Sequence, residues 1–104
     1  MKNILFTLAL IVSFSSFGQI TEELVQTIDE LYDKGRNKMG NSDYYGALSD
    51  YTRVIEINPN DAVAYVNRGY CKMDLNDNVS ACQDFRKAQE YGYDASDLIT
   101  KTCY

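Results

Sequence analysis

The side chains that most often carry catalysis or hold metals are thin in this chain, and their spacing narrows the chemistry further. There is no histidine among the 104 residues, which removes the commonest general base and the commonest metal ligand. Three cysteines, Cys71, Cys82 and Cys103, include no Cys-x-x-Cys pair, so neither a thiol-oxidoreductase site nor a zinc site is expected of them. Carboxylates are plentiful, with 15 Asp and Glu against 10 Lys and Arg. None of them comes with a base, a glycine-rich phosphate loop or an oxyanion arrangement. No enzyme, cofactor or metal is therefore expected, and the net charge of −5 disfavours nucleic acid as a partner.

The N-terminus reads as an export signal. Lys2 supplies a positive start, Ile4 to Val12 an apolar run, and Ser16 and Gly18 the small residues before a cleavage point at Gln19. The alternative, a membrane anchor, is disfavoured because even Ile4 to Phe17 is shorter than the roughly 20 residues that span a bilayer. A soluble exported chain beginning near Gln19 is expected, with the periplasm favoured and an extracellular destination as the alternative. Export would place the cysteines in an oxidising compartment.

The elements that must position any functional side chain are helical, because apolar residues recur at helical spacing and never in sustained alternation. A first helix can begin at Thr21, with Glu22 and Glu23 suited to its dipole, and carries Leu24, Ile28, Leu31, Gly35 and Met39 on one side. The Gly40-Asn41-Ser42 turn ends it. Further helices are predicted at about 44–57, where Asn58-Pro59 stops the chain, at 62–73, at 78–90 with Gly92 placed for a left-handed cap, and at 95–103. Asp43 and Asp77 begin the second and fourth of these and are read as caps.

These helices repeat. Residues 28–61 laid over 62–95 without a gap pair Gly35 with Gly69, Lys38 with Lys72, Met39 with Met73, Ala47 with Ala81, Asp50 with Asp84 and Tyr51 with Phe85. A helix pair recurring every 34 residues is the sequence sign of a helical solenoid. Gly35, Ala47, Tyr51 and Pro59, and again Gly69, Ala81, Phe85 and Ala88, resemble the tetratricopeptide repeat. The resemblance implies an all-α fold: a short right-handed solenoid of two helix hairpins plus a C-terminal capping helix. The implied organisation is a signal peptide at 1–18, an extension of the first helix at 19–27, repeats at 28–61 and 62–95, and the capping helix at 96–104. Lys38 and Lys72 depart from the family pattern, standing where a large aromatic is usual, as do Val54 and Tyr93.

So few repeats sit near the lower size limit for such a fold, so an added constraint is expected. Cys82 and Cys103 are nearly symmetric about the turn at 91–94, and Cys103 takes the register of Gly35 and Gly69, which faces the preceding helix. Their bridge is favoured and would contribute about 3 kcal/mol by the loop-entropy model. Cys71 to Cys82, or three reduced thiols, remain as alternatives.

The resemblance also implies binding of a protein or peptide partner on the concave face of the first helix of each unit. There the residues beside the core stripe are Tyr32, Arg36 and Met39, then Val66, Tyr70 and Met73, then Thr100 and Tyr104. Aromatic, Met and Arg side chains are enriched in binding surfaces. The carboxylate clamp of some family members is not expected, since Asn67 matches it but Tyr32 stands where a Lys would be needed. Asp29, Glu30 and Asp33, with Lys34 and Arg36, are read as a solvated face with i,i+4 pairing. The alternative to a partner-binding groove is a structural subunit that self-associates end to end.

Overall fold

Turns of one design, recurring in register, lay out the chain. The computed structural model describes residues 22–104, all of whose regular elements are helices. The expected signal peptide and the Thr21 cap lie outside the described residues. Residues 22–40 form α1, followed by α2 (Tyr44–Ile57), α3 (Ala62–Asp74), α4 (Asn78–Glu90) and α5 (Ser96–Cys103).

After α1 the chain closes with Ser42 N–H donating to the Met39 carbonyl at 3.0 Å and Asp43 N–H to Lys38 at 2.8 Å. After α3 the same bonds run from Asn76 to Met73 at 2.9 Å and from Asp77 to Lys72 at 2.8 Å. Both turns place a residue in the left-handed region, Ser42 at φ 60° and Asn76 at φ 63°, and after α4 Gly92 does so at 102°. This is the bonding pattern that satisfies the last free carbonyls of a helix. Gly40, nearest the first turn in sequence, is not the residue that turns left-handed.

α2, α3 and α4 are each started by a carboxylate. Asp43 accepts from Gly46 N–H at 3.0 Å, Asp61 from Ala64 at 3.2 Å and Asp77 from Ser80 at 3.2 Å. Such caps are each worth about 1 kcal/mol. Between α2 and α3, Pro59 lies exposed in the connection. α5 begins at Ser96 rather than at Ala95 because Ala95 is held outside helical geometry, while Asp94 accepts from both Ser96 N–H and its hydroxyl.

The helix pairs meet where a glycine faces an aromatic ring. A Cβ on Gly35 would lie 2.7 Å from Tyr51 Cζ, and one on Gly69 would lie 2.6 Å from Phe85 Cε1. The bare backbones let α1 and α2, and α3 and α4, approach over these rings. Ala47 and Ala81, Tyr51 and Phe85, Val54 and Ala88 are all fully buried at equivalent positions. Burying a Phe-sized side chain is worth up to about 3 kcal/mol. One core cluster holds Ala47, Tyr51 and Cys71; the other joins Tyr65, Val66, Ala81, Phe85, Ala88 and Ala95. α5 adds Leu98 and Ile99, half-buried, to the second cluster.

The two lysines that depart from the family pattern have a use that the repeat alignment alone did not disclose. Lys38 Nζ pairs with Asp50 at 2.8 Å, and Lys72 Nζ with Asp84 at 2.8 Å, one bridge across each hairpin. Asp84, whose side chain is 4% exposed, also accepts both the Nε and Nη2 protons of Arg68 at 2.8 Å. A buried carboxylate needs this partnering, since removing its counter-charges would leave an uncompensated ion. Finally, Cys82 and Cys103 are joined by a disulfide with Cα atoms 5.2 Å apart, and Cys71 is a free, buried thiol.

Candidate functional site

The middle turns of α1 and the first turn of α3 border a recess of about 530 Å³, lined by Asp29, Tyr32, Asp33, Arg36, Asp61 and Val63. Asp29, Tyr32 or Asp33, and Arg36 occupy successive turns of α1, so helical spacing alone sets them in one column. Asp61 comes from the head of α3, where its capping role fixes it, and Val63 follows in the same first turn, half exposed at 50%.

Tyr32 forms the floor. Its ring packs at 6.0 Å from that of Tyr51, and its hydroxyl is buried beside the Asp61 carboxylate. Burial pushes the phenol above its usual range, and the negative charge of Asp61 pushes it further, so the hydroxyl keeps its proton at neutral pH. Arg36 does not reach the floor but is held by Asp33 at 2.7 Å on the exposed helix surface. The pairing on this face is thus i,i+3 and not the i,i+4 expected from sequence.

Of the eight residues expected beside the core stripe, the recess gathers Tyr32 and Arg36, and Thr100 lies exposed on α5. Val66 is only 4% exposed and belongs to the core. The reason is positional: α3 is packed between α2 and α4, so a residue that would face outward on a terminal helix is covered there. Met39 packs against the Tyr51 cluster and accepts a weak hydrogen bond from the Tyr51 hydroxyl at 3.8 Å, while Met73 packs against the other cluster. Tyr70, 38% exposed, lies edge-on to Phe85 at 5.6 Å, and Tyr104 is 92% exposed at the chain end. What the sequence reading missed is the row Asp29 and Val63, together with Asp61. The signal was present, for 29 and 63 share the repeat register one turn ahead of 32 and 66.

Among the described residues no group of three metal-ligating side chains occurs, and no helix is long and apolar enough to cross a membrane. A second recess, lined by Tyr65, Arg68, Asp84 and Lys87 among others, is the outer side of the Arg68–Asp84 bridge.

The hairpins, the glycine–aromatic contacts and the 34-residue register define a helical-repeat protein. No family model matches the chain. It is 39% identical over 62 residues to the small glutamine-rich tetratricopeptide repeat-containing protein beta of Homo sapiens, a match covering 60% of this chain and 20% of that protein. It is 42% identical over 53 residues to the protein of the same name in Rattus norvegicus, covering 51% and 17%. The chain thus matches about one fifth of the length of these relatives. In repeat geometry and in sequence the chain is similar to tetratricopeptide-repeat proteins over about half its length.

Proposed function

We propose that the protein is a non-enzymatic binding module that holds a segment of another polypeptide against the α1–α3 face. The observation that carries this reading is the recess itself: a tyrosine floor flanked by half-exposed Val63 and by charged walls. An apolar floor with few placed polar groups is what an extended or helical segment needs for anchoring. Similarity to tetratricopeptide-repeat proteins supports the same reading. An exported setting belongs to it too, supported by the Lys2, Ile4 to Val12 and Ser16 to Gly18 pattern, and by a disulfide of the kind that persists in oxidising compartments.

The test is site-specific photocrosslinking in the source cells. A photoreactive residue at position 63 is expected to trap a different polypeptide, while one at Glu56 on α2, outside the recess, traps none. Adducts formed equally at both positions would refute the groove. Adducts with the protein's own copies alone, with apparent size rising with concentration, would establish the self-associating subunit instead.

A further inference from the structure

The recess carries an unbalanced charge. Asp33 is neutralised by Arg36, but among the described residues no Lys or Arg forms an ion pair with Asp29 or Asp61. Of the Asp61 carboxylate, Oδ1 accepts the Ala64 N–H, and the Tyr32 hydroxyl is buried beside it. Four charged groups therefore line the recess with a net charge of −2, from Asp29, Asp33 and Asp61 against Arg36. The apolar surface is of a particular kind: the Tyr32 ring and the exposed Val63 form a wall, not an enclosed pocket. A wall of this kind suits the aliphatic stem of a long cationic side chain, whose charged head then stays at the rim.

We infer that the recess selects a basic segment of the bound polypeptide, seating one Lys or Arg side chain with its stem along Tyr32 and Val63 and its cation between Asp29 and Asp61. This rests on the binding-module reading above and adds the chemistry of the partner. An acidic segment is excluded by the same geometry, because its carboxylates would meet Asp29 and Asp61 with no free cation to offset them. Arg36, already held by Asp33, sets the limit of the cationic subsite along α1.

The test is selection of a random dodecapeptide library, with blocked termini, on the whole protein, followed by affinity measurement on the enriched peptides. Enriched sequences are expected to carry Lys or Arg beside an apolar residue. Asp29→Asn with Asp61→Asn is expected to weaken them about tenfold, as two partly screened ion pairs would, and Asp97→Asn on α5 to leave them unchanged. Raising the salt concentration should produce a similar loss. Asn caps a helix about as well as Asp, so the double variant keeps the α3 start, and Asp29→Asn alone serves if it does not. Peptides without basic residues, or basic peptides indifferent to the double variant, overturn the inference; if Val63→Trp still abolishes their binding, the groove reading survives. Failure to enrich any peptide, or enrichment insensitive to Val63→Trp, overturns both.

Discussion

Replacing Gly69 by alanine tests the contact on which the second hairpin is built. The new Cβ would lie 2.6 Å from Phe85 Cε1 and 2.9 Å from Cδ1 and Cζ. Carbon atoms in packed interiors sit about 3.5–4.0 Å apart, so about 1 Å must be found. The ring cannot supply it, being fully buried and set edge-on to Tyr70. α3 and α4 must therefore move apart, and overpacking of this kind costs about 1–3 kcal/mol. Alanine's advantage over glycine inside a helix returns about 1 kcal/mol, leaving a net loss of up to about 2 kcal/mol. Urea unfolding followed by far-UV circular dichroism, with the disulfide intact, measures it. Gly40→Ala is the internal control: it meets nothing within 4 Å and is expected to be neutral or to stabilise by up to about 0.5 kcal/mol. Adding Phe85→Leu to Gly69→Ala should be less damaging than the two single losses summed, by at least about 0.5 kcal/mol. A Gly69→Ala protein more stable than the parent would refute the argument, since the propensity gain would then be opposed by nothing.

Other features make independent predictions. Replacing Cys82 and Cys103 with serine should remove about 3 kcal/mol of stability. Hydrogen exchange should then show the amides of α5 losing protection first, because Leu98 and Ile99 are its main apolar hold on the core. Asp84→Asn, which strips Arg68 and Lys72 of their shared partner, should cost about 2–4 kcal/mol, and Asp50→Asn, facing the more exposed Lys38 alone, about half as much or less; denaturation curves of the two variants decide the order. The Cys71 thiol is pushed up to about 11 by burial first and the Asp74 charge second, from an ordinary 9.0. Its folded value lies above its unfolded one, so the stability it contributes is fully present below about pH 9 and is lost as pH rises towards 11. Alkylation of Cys71 by iodoacetamide near neutral pH should accordingly keep pace with global unfolding, and fast labelling of the native protein would contradict its burial.

Local rules acting over one or two turns made much of this protein legible from its residues. Helical period, the proline after Asn58 and the aspartates before each helix mark where elements start and stop, because caps and breakers act on the backbone beside them. The gap-free repeat went further and paired Gly35 with Gly69 and Tyr51 with Phe85, since a solenoid reuses one packing solution in each unit. Side-chain partnerships across helices were a different matter. Lys72 and Asp84 were aligned with Lys38 and Asp50, yet that they meet depends on how α3 lies over α4. The choice between Cys103 and Cys71 as partner for Cys82 was likewise open until α5 was seen folded back on α4. The recess shows the limit most clearly. Val66 and Tyr32 share a register, but α3 has neighbours on two sides, so Val66 is covered while Tyr32 stays accessible. Asp61, assigned no role from the sequence, caps α3 and reaches the site because the α2–α3 connection carries it beside α1. Spacing along the chain determines which residues share a face; only the packing of one helix on the next decides whether that face meets solvent, a core or a partner.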